Sequence, residues 1–574
     1  METIKKRIAN ALKNSLKKMG GVAPLAIESL LESPPDSTLG DLAFPCFSLA
    51  KELRKSPAQV ADELACALPK AADVDRVSAA GPYVNFFLNA RALAALANSK
   101  TPKKKKTKGT IVIEYVSPNT NKPLHLGHVR NAVLGDSVAR ILEATGNTVV
   151  KTCLVNDRGI HICKSMVAYL EEGKKLEVRG KRLPTPKSED TKGDHFVGNH
   201  YVLFERKLKD DPSLMESAQE CLKRWEAGDR RTRTLWKKMN TWVLAGMKET
   251  YRRLGIDFDK TYFESQIYDK GKDLILKNLN KGVVVRDETG AVYADLSTWN
   301  LPNKILLRKD GTCLYITQDV YLAVQKAKDF KARSSIYVIG SEQDLYLKQL
   351  FAVLDLFKFV WAKNLRHLSY GMVNLPEGKM KSREGTVVDA DDLLDELETL
   401  ARVEIQKRDA ALSQKEASRR AKTIALSALK FYMVDVSPKS EMTFDPKQSI
   451  AFQGHTGPYL LYTVARLESI LRKAKKSRAP VRGAAYDWLA EKQLLLSLLQ
   501  FDDITRRAAA ELNPSVISHY LFDLAQKIND YYHTTPILSA PESIRQSRIL
   551  LIARLSGTLK QGLDLLGIKT LEKM

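Results

Sequence analysis

The sequence predicts a chain in three parts: a small N-terminal α+β domain, an α/β domain on a split parallel sheet carrying an insertion, and a C-terminal all-α helical bundle. Three observations carry this. A strand–loop–helix–strand order over 111–155 is the opening of a parallel nucleotide-binding sheet. A heavily charged stretch at about 171–235 breaks the alternation, which resumes near residue 318. From about residue 396 onward apolar residues recur at helical spacing with no strand alternation between them.

Each part follows in chain order. Residues 1–97 hold two helical patterns and end in the aromatic, strand-like run AGPYVNFFLNA. NSKTPKKKKTKGT, 98–110, is polar, lysine-rich and aperiodic, a linker. The α/β domain spans 111–395. IVIEYV, 111–116, is a buried strand, and a loop with Ser117, Pro118, Asn119 and Pro123 follows it. A helix then runs from about His128 to Ala144, stopped by Gly146, and NTVVKTCLV is the next strand. After the insertion come a helix at about 318–330, a strand at 335–339, a helix at 344–357 and a strand at 367–373. The loop PEGKMKSREGT closes this half. Residues 396–574 are helix after helix, including ALSALKFYMV, PYLLYTVARLESILRKA, WLAEKQLLLSLLQ and RILLIARLSGTLKQGLDLLG.

Composition narrows the class. The 574 residues allow roughly three or four domains. No run approaches the ~20 apolar residues that span a bilayer, so no membrane partner is expected. The opening METIKKRIANALKNSLKKMG lacks the apolar stretch of a secretory signal. A basic amphipathic start also suits a transit peptide, but Glu2 and the run into a patterned domain favour an ordinary first helix and a cytoplasmic protein. Cys46, Cys66, Cys153, Cys163, Cys221 and Cys313 form no C-x-x-C pair, so neither a zinc knuckle nor a disulfide framework is expected. The net charge of +24 exceeds what solubility requires and points to a polyanion, most simply a nucleic acid. A generally basic surface would carry the same charge.

The segment SPNTNKPLHLGHVR, 117–130, is the most informative. His125 and His128 sit where a strand and loop deliver the chain to a helix start. There the unpaired N–H groups and the positive dipole end attract phosphate. Imidazoles three apart share one face of the first turn and can donate to the same phosphate oxygens. Gly127 puts no side chain between backbone and a flat base. This suits ATP held at its α-phosphate, with preorganised donors for the charge that gathers when a carboxylate attacks. Taken alone, H-x-x-H also suits two surface histidines, or two metal ligands with Cys153 and Cys163. About 250 residues later, Gly378 to Gly385 carries two lysines and an arginine between glycines, a basic loop able to close over a triphosphate. Taken alone it is a basic turn.

His-Leu-Gly-His and Lys-Met-Lys-Ser resemble the HIGH and KMSKS signatures of the class I aminoacyl-tRNA synthetases. From about residue 30 to Met574 the chain resembles the arginyl-tRNA synthetases, through LGDLAFPCF, SPNTNKPLHLGHVRNAVLGD, VNDRGIH, GDHFVGNHYV, DGTCLYITQDV, GKMKSREGTVV, GHTGPYLLYTVAR and LLGIKTLEKM. The resemblance implies a split Rossmann-like sheet and ATP-dependent attachment of arginine to its tRNA through arginyl-adenylate. Its implied substrates are L-arginine, ATP with Mg²⁺, and tRNA(Arg); a monomer is expected, with tRNA bound before the first step.

Carried over residue by residue, His125 and His128 would bind the ATP phosphates, with Gly127 against adenine. Gly371, Met372 and Val373 would hold adenine through backbone groups, and Lys379 would sit on the phosphate loop. Ser382 stands where KMSKS has its second lysine, and Lys122, just before the HIGH motif, would substitute. Lys381 departs from the small residue usual there, and its role is open. Glu114, Ser117, Asn119, Tyr315, Asp319 and Gln343 match the arginine pocket. A buried guanidinium needs planar acceptors and carboxylates. Asp319 can pair with it, and Tyr315, four residues earlier on the same helical face, reaches the same ligand. Ser117 and Asn119 suit the α-amino and carboxylate ends. The N-terminal module would meet the D-loop through Tyr83 and Asn85 on one strand face, although an edge-strand core pair reads the same way. In the anticodon-binding bundle Tyr459, Tyr462, Tyr531 and Tyr532 are candidate base-stackers, any of which could instead be core. Met574 matches a family position near the anticodon loop.

Three rivals are weaker. A small-molecule adenylyltransferase is shorter and lacks the helical tail. A non-catalytic RNA-binding relative would have lost His125, His128 or Lys122. A cysteine-specific synthetase would show zinc-type cysteine spacing, which Cys153 and Cys163 lack.

Overall fold

The strand Thr110–Glu114 is the middle of a five-stranded parallel sheet. Covered on both faces, it reads as an uninterrupted apolar run rather than an alternation. In space the order is Leu365–Tyr370, Ala332–Gly340, Thr110–Glu114, Thr148–Val155, Lys260–Phe263, every neighbouring pair parallel. The chain first builds outward on one side of the central strand and later on the other. The topological switch therefore lies between Thr110–Glu114 and Ala332–Gly340, where doubly wound sheets bind ligands. The computed structural model describes all residues except 22–26, 33, 35, 37, 70, 99–106, 108, 178–182, 375, 377–387 and 475–487.

The predicted α/β class is borne out, with boundary corrections that have physical causes. The central strand stops at Glu114, not residue 116, because Val116 and Ser117 turn to φ 75° and 43°. A β-branched residue with positive φ is strained, and such strain persists only where neighbours enforce it. Here Asn131 enforces it: its Oδ1 accepts the Val116 N–H at 2.6 Å while its Nδ2 donates to the Val338 carbonyl at 2.8 Å. The helix that follows runs Leu126–Ala144, two residues earlier than expected, since His125 itself caps it. This helix lies against the sheet so closely that a Cβ at Gly135 would stand 2.3 Å from the Tyr115 ring.

The charged insertion is helical and longer than 171–235: Gly193–Asp210, Leu214–Glu226 and Arg230–Leu254. Sequence patterning passed over the edge strand Lys260–Phe263 and a small antiparallel sheet of Val285–Arg286, Val292–Ala294 and Lys304–Leu307. The strand expected at 367–373 ends at Tyr370. Val373–Asn374 instead pairs in parallel with Met442–Thr443, a two-residue strand inside the region expected to be purely helical. Otherwise that region is helical: Ala390–Arg408, Gln414–Asp435, Gly457–Ala474, Trp488–Glu511, Ser515–Thr534 and Glu542–Leu565. Four of these, Ala390–Arg408, Gln414–Asp435, Trp488–Glu511 and Glu542–Leu565, pack directly on Leu126–Ala144.

At the N-terminus, helix Glu2–Lys18 and helix Pro57–Ala67, the latter capped by a Ser56–Gln59 box, accompany a three-stranded antiparallel sheet. Its middle strand is Tyr83–Leu88. The linker expected at 98–110 lies mostly outside the described residues. Among the described residues no helix is long and apolar enough to cross a membrane.

Because Gly135 has no room for a methyl, Gly135→Ala is expected to destabilise the protein by about 1–3 kcal/mol or more. A denaturant midpoint unchanged from wild type would show that the helix–sheet contact is looser than the geometry states.

Candidate active site

The helix start is a capping box made of two imidazoles. His125 Nδ1 accepts the Gly127 N–H at 3.2 Å, and His128 Nδ1 accepts the His125 N–H at 3.2 Å. Their ring centroids stand 3.9 Å apart. Since each Nδ1 accepts, a neutral ring carries its proton on Nε2. Burial first, and the Lys122 charge second, draw His125 down to about 4. Burial, then His125 and Lys122, hold His128 well below the ordinary imidazole range. Both rings are therefore neutral donors at pH 7. They pair because one caps and the other is the third residue of the helix, which brings the two rings together at the helix start. A methyl at Gly127 would lie 3.1 Å from the His125 ring.

Lys122, whose pKa burial lowers, lines a 350 Å³ cavity beside this helix start with His125, His161, His195, Tyr201 and Asp389. The chain emerging from the 377–387 stretch docks here. Leu126 N–H donates to the Val388 carbonyl at 3.1 Å, and Ala390 N–H to the Leu124 carbonyl at 3.0 Å. Lys379, Lys381 and Ser382 themselves lie outside the described residues.

On the other flank, the Gly371 carbonyl accepts from Arg130 at 2.9 Å. The Met372 carbonyl accepts from Arg130 at 3.2 Å and from the Met442 N–H at 3.0 Å. With both lone pairs of Met372 engaged, its carbonyl is closed to a base. That narrows the backbone groups expected to meet adenine. Gly371 has a packing reason of its own: a Cβ there would lie 2.5 Å from the Ser440 carbonyl. Val373 is buried in its short strand pair.

A 940 Å³ cavity opens at the switch point, and Glu114, Ser117, Asn119, Tyr315, Asp319 and Gln343 all line it. Asn119 is fixed by a bridge to Asn156. Tyr315, 72% exposed, starts the helix Tyr315–Phe330, and Gln343 ends a short 3₁₀ turn. Three lining residues escaped sequence reading. Lys326 is fully buried and donates to Glu114 Oε2 at 2.8 Å, its Nζ 4.4 Å from the Tyr337 ring centre. Tyr346 donates its hydroxyl proton to Asp319. Glu264 faces Arg158 at 3.8 Å, and burial raises it to about 7 despite that cation. Lys326 had a signal, since it follows Asp319 by seven positions and so lies on the same helix face. Burial raises Asp319 to about 6, against the Tyr346 hydrogen bond. Glu114 already has Lys326 and Glu264 faces Arg158, so among the described residues Asp319 is the acid here without a contacting cation.

Residues expected at RNA divide. Tyr83 is half-buried and edge-on to exposed Phe47 at 5.7 Å. Asn85 is 2% exposed, so it is not presented to a base. Tyr459 accepts from Asn529 Nδ2 at 2.9 Å and lies beside Phe522, inside the bundle. Tyr531 is 5% exposed and donates to Glu491, which also binds Arg548 at 2.8 Å; it is a core residue. Adjacent helical residues differ by about 100° in direction, so Tyr532 faces outward where Tyr531 faces in. The Arg466 guanidinium lies 4.7 Å from the Tyr462 ring centre and 4.8 Å from that of Tyr532. These three line a 690 Å³ pocket with Arg420, Arg472, Lys473 and Met574.

A split parallel sheet, an imidazole-capped helix start at its switch point and an appended helical bundle define a class I aminoacyl-tRNA synthetase. Family profiles agree: "tRNA synthetases class I (R), catalytic domain" matches residues 92–445, "DALR anticodon binding domain" 460–574 and "Arginyl tRNA synthetase N terminal domain" 3–88. An arginine–tRNA ligase of Treponema denticola is 43% identical, covering 97% of this chain and 98% of its own. One from Parabacteroides distasonis is 39% identical over all of both chains. The solved arginyl-tRNA synthetase of Thermus thermophilus superposes with a TM-score of 0.84 at 30% identity, over 99% of this chain and 100% of that one. The chain belongs to the arginyl-tRNA synthetase family.

Two outcomes follow from the tyrosine geometry. Tyr531→Phe is expected to cost about 1–2 kcal/mol in stability and leave tRNA affinity unchanged. Tyr532→Ala is expected to weaken tRNA binding by roughly 1–3 kcal/mol with stability nearly intact. The reverse pattern in a filter-binding and melting comparison would reassign the two.

Proposed function

We propose that this chain attaches arginine to its tRNA by first forming arginyl-adenylate in the 940 Å³ cavity and then passing the arginyl group to the terminal ribose of the tRNA. The observation that carries the reading is Asp319, a half-buried acid with no contacting cation among the described residues, opening to the same cavity as Ser117 and Asn119. The arginine guanidinium pairs with Asp319 while Tyr346 orients that carboxylate. Glu114, paired with Lys326, and the polar groups of Ser117 and Asn119 take the α-amino and carboxylate ends.

The arginine carboxylate then attacks the α-phosphorus of ATP, and the bond to the pyrophosphate breaks. Mg²⁺ enters with the nucleotide as part of that substrate. His125 and His128 donate through Nε2 to the phosphoryl oxygens, where charge gathers in the transition state. Being neutral before and after, they need no proton from solvent. Lys122 adds positive charge at the same place, as Lys379 does from the loop. Gly371 and Val373 meet adenine, and Lys381 and Ser382 lie alongside the phosphates. Tyr83 contacts the elbow side of the tRNA, and the Tyr462–Arg466–Tyr532 pocket with Met574 takes anticodon bases by stacking. The protein works as a cytoplasmic monomer, and its high positive charge serves the RNA.

Four measurements test this. Arginine-dependent ATP–pyrophosphate exchange is expected only when cognate tRNA is present; vigorous exchange without tRNA defeats that part. His125→Ala and His128→Ala are each expected to slow exchange by about 10²–10³-fold with little change in arginine KM. For Asp319→Asn, kcat/KM for arginine should fall by about 2–5 kcal/mol and discrimination against citrulline should shrink. The free carboxyl, at about 6, is protonated below that pH and loses its hold on a cation. The wild-type kcat/KM for arginine therefore falls as pH drops through 6. A flat profile there, or a variant that still rejects citrulline, removes the arginine assignment.

A further inference from the structure

Arg130 is fully buried, two residues past His128 on the same helix. Its guanidinium makes four hydrogen bonds, all to backbone carbonyls: Nη1 to Gly371 at 2.9 Å and Met372 at 3.2 Å, Nη2 to Pro438 at 3.2 Å and Ser440 at 2.8 Å. Among the described residues no carboxylate contacts it, and its Nε is buried without a partner. Burial draws it down to about 10, so it stays charged at pH 7. A buried cation balanced only by carbonyl dipoles is costlier than an apolar side chain of similar size. What the cost secures is the joining of two distant stretches.

Gly371 and Met372 precede the segment carrying Lys379. Pro438 and Ser440 follow Gln414–Asp435, a helix of the C-terminal bundle. The two stretches also touch directly, since Gly371 N–H donates to the Pro438 carbonyl at 2.9 Å. The bundle grips the far end of the same histidine-capped helix. There Arg140 binds Asp136 at 2.7 Å and reaches Asp564 at 3.4 Å, while Lys430 donates to the Gly567 carbonyl at 2.8 Å.

We infer that Arg130 is a positioning residue that sets the adenine seat at Gly371–Val373 by tying it both to the histidine-capped helix and to the stretch leading out of the helical bundle. The inference rests on the reading of that stretch as the adenine seat given above. The guanidinium fork is planar and rigid. Losing the fork frees Gly371 and Met372 from the helix, while none of the four carbonyls it holds belongs to a residue lining the large cavity.

The test uses the full-length enzyme with Arg130→Lys, which keeps the charge and loses the fork. In exchange assays supported by tRNA, the half-saturating ATP concentration is expected to rise about tenfold or more. Half-saturating arginine and directly measured tRNA affinity should stay within about twofold. If ATP, arginine and tRNA weaken together, or none changes while only the melting temperature falls, Arg130 is merely structural and the inference is overturned. Gly371→Ala presses a methyl on the Ser440 carbonyl and provides a second route to the same ATP-selective rise. Unchanged ATP saturation there overturns the inference even where Arg130→Lys does not fold. Wild-type enzyme assayed alongside separates this from failure of the underlying reading, since protein that never exchanges with arginine loses both.

Discussion

The sheet's central strand and the helix Leu126–Ala144 meet at one strained corner, and every part of the site depends on how that corner is held. Asn131 holds Val116 at positive φ and reaches across to the next strand. The loop after Ser117 is thereby directed to His125, and His125 begins the helix with its own side chain. Tautomer and donor direction of both imidazoles follow from that single capping arrangement. An Asn or Ser cap would satisfy the same backbone donors. An imidazole that caps through Nδ1 still has Nε2–H to offer, so one residue can serve the fold and, as proposed, the phosphates.

The sequence disclosed this site unevenly, for reasons local to each residue. Strand–loop–helix order and the His-Leu-Gly-His spelling located the helix start, because phosphate sites at helix N-termini have short-range rules. The capping role of His125 could not be read, since histidine is not a preferred cap and the motif suggested a shared helical face instead. Tyr346 becomes meaningful only when its helix meets that of Asp319, and Lys326, despite its spacing from Asp319, only when its helix meets the distant strand of Glu114. The small antiparallel sheet at 285–307 was passed over because strands of two to four residues leave almost no periodicity to detect.

The tyrosines show the same limit in the bundle. Tyr531 and Tyr532 are indistinguishable by composition, and only the phase of the helix separates them. That phase is set by Glu491, which takes hydrogen bonds from both Tyr531 and Arg548 and so turns Tyr531 inward. Tyr532 is left to share Arg466 with Tyr462. Helix existence was legible over the whole region, whereas the facing of single residues depended on a buried carboxylate in another helix.

The Glu114–Lys326 pair shapes the charge of the cavity at the switch point, and with it the preference proposed for arginine. Three carboxylates line it, Glu114, Glu264 and Asp319, and an unmodified acidic pocket would accept any cation. Lys326 takes up one from behind and Arg158 faces another. Because Asp319 is held in place by the Tyr346 hydroxyl, a planar fork gains two directed hydrogen bonds where an ammonium gains one. Lysine would also leave the remaining acceptors of the cavity without donors, and unmet buried acceptors are costly. The proposed preference for arginine then rests on the built-in cations as much as on the acids they face. Removing Lys326 would leave Glu114 buried and unpaired, at a cost that falls on the fold before it reaches catalysis.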